Sequence, residues 1–149
     1  MHKALIIYSS LTGNTAQIAD ILADELEDRQ IDVIILDAME ADPVDLLEYD
    51  IICIGSYTFG NDAEIPDEML DYYEEIATMD LSGKPFGVFG SGDDYYPKFA
   101  TVVDDFEAQL IKSGAIKVAP GVKTNIAPDT EEELEAIQTL AQALADYFK

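Results

Sequence analysis

Ala4-Leu5-Ile6-Ile7-Tyr8-Ser9-Ser10-Leu11-Thr12-Gly13-Asn14-Thr15 is the stretch on which the fold turns. Its first five residues form an unbroken apolar run. A strand that is apolar without alternation is covered on both faces, as in a parallel sheet. A loop dense in hydroxyl side chains comes next, and from Thr15 to Arg29 the apolar residues Ile18, Ile21, Leu22 and Leu26 fall about four apart, the period of a helix with one buried face. The unit is therefore strand, hydroxyl-rich loop, helix.

Outward from this unit the pattern recurs. Val33-Ile34-Ile35-Leu36, Ile51-Ile52-Cys53-Ile54 and Phe86-Gly87-Val88-Phe89 read as further buried strands. A fifth is predicted either at 115–118 or at 122–126, with Pro120-Gly121 interrupting the stretch. Helices are predicted over 66–78, with Met69, Leu70, Tyr73 and Ile76 on the apolar face, over 99–113, and over 130–148, with Leu134 among its apolar positions. A shorter helix is predicted over 42–47, and Thr130 is placed to cap the last helix. Alternation of this kind implies right-handed βαβ units in one α/β domain spanning residues 1–149, with helices on both faces of a parallel sheet. Ligands of such sheets sit beyond the carboxyl ends of the strands, which selects the loops after strands one, three and four.

Composition narrows the function. The chain has 149 residues and a formal charge of −23, from 31 acidic residues against 8 Lys and Arg. Nucleic acid and anionic membrane surfaces are excluded as partners by repulsion, whereas a protein with a basic patch would be attracted. No apolar run approaches the length of a membrane span, and a cytoplasmic location is expected. Cys53 is the one cysteine and lies inside an apolar strand, so it reads as a buried hydrophobe. His2 is the one histidine, at a terminus expected to fray, so a His-based catalytic or metal site is not expected.

The loop Ser9-Ser10-Leu11-Thr12-Gly13-Asn14-Thr15 reads as an anion cradle, with backbone N–H groups, a helix dipole and the hydroxyls of Ser10, Thr12 and Thr15. It carries neither the Gly-Lys-Ser/Thr of a P-loop nor G-x-G-x-x-G. A terminal phosphate monoester fits it better than a nucleotide triphosphate or dinucleotide. The same loop also reads as an ordinary hydroxyl cap on a helix. Aromatics in Gly-containing turns, Phe59 after strand three and Tyr95 or Tyr96 after strand four, are costly to leave in water unless something stacks on them.

These loops together resemble the flavodoxin family, and the resemblance covers essentially the whole chain. Ser10-Leu11-Thr12-Gly13-Asn14-Thr15 is similar to the S/T-x-T-G-x-T phosphate loop of flavodoxins, although Leu11 stands where a hydroxyl residue is common. Ser56-Tyr57-Thr58-Phe59-Gly60-Asn61-Asp62 resembles the segment whose aromatic covers the inner face of the flavin, here Phe59 in place of the usual tryptophan. Gly90-Ser91-Gly92-Asp93-Asp94-Tyr95-Tyr96-Pro97 resembles the segment whose tyrosine covers the outer face, Tyr96 with Tyr95 as the alternative. The chain is too short for the insertion that marks long-chain members. The resemblance implies a three-layer, flavodoxin-like α/β sandwich with a five-stranded parallel sheet in the order 2-1-3-4-5. It further implies noncovalent FMN bound by residues 9–15, 56–61, Ser91, Gly92, Asp93, Tyr95 and Tyr96, and no catalytic residue other than the flavin. The Gly60-Asn61 peptide would turn over on one-electron reduction so that the Gly60 carbonyl accepts a hydrogen bond from flavin N5.

The implied function is low-potential, one-electron transport between redox proteins. Asp62, Glu64, Asp93 and Asp94 would resist added negative charge on the ring, each costing roughly 0.8 kcal/mol, or about 35 mV, at ~10 Å and an effective dielectric of ~40. The acidic helix bearing Asp67, Glu68, Asp71, Glu74 and Glu75 could frame docking of a basic reductase or oxidoreductase, and the carrier is expected to be monomeric. The competing readings are a flavodoxin-like FMN oxidoreductase or metalloenzyme activator, and a phosphoacceptor receiver domain. The last needs aspartates after strands one and three, where this chain has Ser9-Ser10 and Ser56-Tyr57.

Overall fold

The computed structural model describes residues 1–58, 64–95 and 99–149. Strands β1 (Lys3–Ser9), β2 (Asp32–Asp37), β3 (Ile51–Ser56), β4 (Pro85–Gly92), β5 (Ile116–Lys117) and β6 (Val122–Asn125) form one sheet in the order β2-β1-β3-β4-β5, with β6 also on β4. Every pairing is parallel. The helices are α1 (Asn14–Glu27), α2 (Asp67–Ile76), α3 (Val102–Lys112) and α4 (Glu131–Asp146), and the segment predicted as a short helix is a 3-10 turn over Pro43–Glu48.

The two candidates for a fifth strand are both used. β5 lies beside Pro85 and Phe86, and β6 beside Phe89 to Gly92. From Phe86 to Phe89 β4 advances three residues, while from Lys117 to Val122 the neighbour advances five, so two extra residues leave the ladder at the Pro120-Gly121 interruption. Pro120 has no N–H to give to a ladder. One edge of the sheet is thus a strand in two pieces.

Alternation of side chains along each strand makes three layers from one sheet. Ala4 and Ile6 of β1, Ile51 and Cys53 of β3 and Phe89 of β4 pack with α1 and α4. Leu5, Ile7, Ile52, Ile54, Phe86 and Val88 pack on the other face with α2, α3 and the 3-10 turn. Gly55 is required here, because a Cβ at that position would lie 2.1 Å from the ring of Phe89. Two helical faces differ from expectation. On α2, Leu70 is exposed and Tyr72 is buried, its hydroxyl donating to the carbonyls of Ala38 (2.8 Å) and Ala41 (2.6 Å), while Tyr73 packs at the margin. On α4, Leu134 is exposed, and the cap is as predicted: Thr130 Oγ1 accepts from the Glu133 N–H. His2 is docked rather than frayed, stacked on Phe148 with ring centroids 3.9 Å apart.

Candidate functional site

β2 lies on one side of β1 and β3 on the other, so the chain switches direction across the sheet between them. In sheets of this order, flavodoxins being themselves reference cases, ligands sit in a crevice beyond the carboxyl ends at that point. The loop leaving β1 starts there. Gly13 is the N-cap of α1 at φ 92°, in the left-handed region that a side chain disfavours, and has no Cβ neighbour within 4 Å that would crowd it. The N–H groups of a first helical turn have no partners within the helix, and a glycine N-cap supplies no side chain to satisfy them. The first turns of α2, α3 and α4 carry carboxylates, whereas that of α1 carries none. In so acidic a chain, this helix end is left for an external anion.

The hydroxyls of the loop are arranged unequally. Ser10 Oγ accepts from the Gly13 N–H (3.1 Å), shaping the turn, and Thr12 Oγ1 accepts from Asn14 Nδ2 (3.1 Å), which leaves its own proton to give outward. Leu11, Thr12 and Gly13 are exposed. Thr15 is buried, its hydroxyl 2.7 Å from Ser91 Oγ, so it braces the cradle against β4. Ser9 is also buried and donates to Glu68 Oε1 (2.6 Å), away from the cradle.

The loops after β3 and β4 are stitched to this one. The Thr58 N–H donates to the Ser91 carbonyl (3.1 Å), and Ser56 Oγ to the Tyr57 carbonyl (2.9 Å). Gly90 is needed at this junction, since a Cβ there would lie 2.5 Å from the Ser56 carbonyl oxygen. Beyond Gly92, whose carbonyl accepts from the Ile126 N–H (2.8 Å), Asp93 Oδ1 accepts from the Tyr95 N–H (3.0 Å), and Asn125 Oδ1 accepts from the Asp94 N–H (3.1 Å). Tyr95 is 84% exposed. Glu64, Asp93 and Asp94 are exposed as well. Phe59, Gly60, Asn61, Asp62, Tyr96 and Pro97 lie outside the described residues.

Two contacts beside these loops are not legible in the sequence. Glu68 falls in sequence within an outward acidic face, yet its Oε1 receives both Ser9 Oγ and the Tyr57 hydroxyl (2.9 Å). Burial raises its carboxyl, but the bonds from Ser9, its own backbone and Tyr57 outweigh burial and hold it below the ordinary range. Burial, and then the bond to Glu68, pushes the Tyr57 phenol up to about 12. The second contact is at Asn125, the last residue of β6, whose N–H donates to Glu133 Oε2 (2.7 Å).

A phosphate-bearing flavin fits these residues. Besides the open helix end, Thr58 Oγ1 is buried without a hydrogen-bond partner among the described residues, a costly arrangement unless a ligand supplies one. The fold and this loop define an α/β protein whose switch point has the geometry to receive a phosphate monoester. The family model described as "Flavodoxin" matches residues 6–145, and the chain belongs to the flavodoxin family. It is 39% identical to probable flavodoxin 1 of Bacillus subtilis (strain 168) over 99% of this chain and 95% of that protein. A flavodoxin structure from Streptococcus pneumonia TIGR4 superposes with a TM-score of 0.92 at 43% identity, covering 97% of this chain and 98% of that one. A short-chain flavodoxin associated with a PDU bacterial microcompartment superposes at 0.94, with 34% identity and 98% of each chain covered. Flavodoxins bind FMN and transfer electrons to partner proteins rather than turning over a substrate, and the chain is accordingly an FMN-binding electron carrier. Among the described residues no helix is long and apolar enough to cross a membrane.

Proposed function

We propose that residues 1–149 act as one domain and shuttle single electrons at low potential between redox proteins in the reducing cytoplasm. The observation that carries the reading is the uncapped, carboxylate-free N-terminus of α1 at the switch point, beside the unpartnered hydroxyl of Thr58. Bound FMN supplies the reversible one-electron chemistry. The residues 10–15 hold its phosphate, through backbone N–H groups at Leu11 and Asn14 and the Thr12 hydroxyl, with Ser9, Thr15 and Ser91 bracing the loop from behind. Ser56, Tyr57 and Thr58 lead to Phe59, which would stack on one face of the ring, and Gly92, Asp93 and Tyr95 lead to Tyr96, which would stack on the other. The Gly60 carbonyl would accept a hydrogen bond from the ring nitrogen when that nitrogen is protonated. Exposed carboxylates at Glu64, Asp93 and Asp94 disfavour a second negative charge on the ring, which lowers the second potential.

The partner is a protein with a basic patch, drawn to the exposed carboxylates Asp67, Asp71, Glu74 and Glu75 of α2, and docking is weak enough for rapid release. The carrier works as a monomer, which keeps the docking face free. Anaerobic stepwise reduction of the FMN-loaded protein, with the potential recorded, tests the reading. Two separated one-electron waves are expected, the second below that of free FMN. A single two-electron wave would point to an oxidoreductase, and absence of FMN binding would overturn both. Sedimentation should show one chain.

A further inference from the structure

The parallel ladder sets Ser9 against Ser56, but it ends there and imposes no spacing on the two loops that leave these residues. That spacing is set from outside the sheet. In the first turn of α2, a single carboxylate oxygen, Glu68 Oε1, accepts Ser9 Oγ at 2.6 Å and the Tyr57 hydroxyl at 2.9 Å. Ser9 is the residue from which the phosphate loop departs. Tyr57 is the residue from which the second loop departs, and its neighbour Thr58 presents the unpartnered hydroxyl. The Tyr57–Glu68 bond also closes the neck of the connection between β3 and α2, since the two residues stand 11 apart in the chain. Both bonds are charge-assisted and the one from Ser9 is short, so they hold direction as well as distance.

Resting on the FMN reading above, we propose that Glu68 is a positioning residue for the cofactor: its bridge from Ser9 to Tyr57 sets the phosphate loop and the ring-facing loop at the spacing that FMN requires. Glu68 itself touches neither phosphate nor ring. Without it, Ser9 and Tyr57 lose their common acceptor and the two loops lose register with each other, while β1 and β3 remain paired. A glutamine retains an oxygen that accepts from both hydroxyls, so it preserves the bridge while removing its charge.

The test is titration of the apoprotein with FMN, monitored by quenching of FMN fluorescence, in the wild type, S9A, Y57F, E68A, E68Q and Y57F/E68A, with a thermal melt of each apoprotein alongside. E68A should weaken FMN binding about tenfold or more, with Y57F and S9A losing less. E68Q should recover most of the loss, and adding Y57F to E68A should cost nothing further, because the interaction is shared. The proposal is overturned if E68A binds like the wild type, if E68Q is as weak as E68A, or if the Y57F and E68A losses multiply independently. Should E68A fail to fold, the S9A and Y57F single variants decide: weakened binding in both upholds the bridge, and wild-type binding in both ends it. A wild type that binds no FMN defeats the family function as well, which separates the two failures.

Discussion

At the scale of single residues, burial makes several weak acids weaker still. Burial pushes the Cys53 thiol, and the Tyr57 and Tyr72 phenols, up to about 12, from ordinary values of 9.0 and 10.0. Each folded-state value lies above its unfolded one, so the folded form holds protons that the unfolded chain releases first. Stability is then intact below about pH 9 and falls as the pH rises toward about 12. Urea unfolding at pH 8 and at pH 11 should show the loss, with phenolate absorbance from Tyr57 and Tyr72 appearing together with unfolding. Phenolate signals complete at pH 10 in the folded protein would refute it. Residue-level legibility in the sequence is uneven, for a physical reason. The turn at Gly13 is legible because its chemistry is local, whereas the Thr15 hydroxyl, read as part of the cradle, is engaged by Ser91 from another strand. Glu68 is not legible, since which way a first-turn carboxylate points depends on Ser9, which arrives from another strand.

At the scale of elements, strands and helices are legible from periodicity because burial is what the period encodes. Four strands and four helices lie where the apolar runs put them, with helix ends displaced by one to three residues. The errors arise where period alone is degenerate. Tyr72 and Tyr73 are adjacent, and only the carbonyls of Ala38 and Ala41 decide which of them turns inward. The split fifth strand reads as a choice because a sequence does not reveal that both halves pair with β4. Close packing between paired strands makes one glycine a sensitive probe. Gly55→Ala places a methyl where the Phe89 ring lies and should cost about 1–3 kcal/mol or more, read as a lowered denaturant midpoint with an unchanged m-value. A midpoint equal to that of the wild type would mean that the ring moves freely.

At the scale of the whole molecule, charge is polarised along the strands. Lys3 opens β1, Lys84 precedes β4, Lys117 lies in β5, Lys112 ends α3, and Arg29 and Lys149 come after α1 and α4. Six of the eight cations therefore sit at the pole where strands begin, opposite the cofactor crevice. The carboxylates of the other pole are left nearly unopposed, so the long-range field turns the crevice toward a positive partner before contact. Raising salt from about 0.01 to about 0.5 M should therefore slow electron delivery to a basic partner in stopped-flow mixing, yet raise the melting temperature as self-repulsion is screened. A rate that ignores salt would argue against steering. The broken edge strand has a consequence of another kind. An open sheet recruits further strands wherever it offers a straight, evenly spaced row of amides and carbonyls, which is how fibrils begin. Here that border is cut into pieces of two and four residues by a proline and two looped-out residues, so a second molecule finds no continuous template to extend on this side of the sheet.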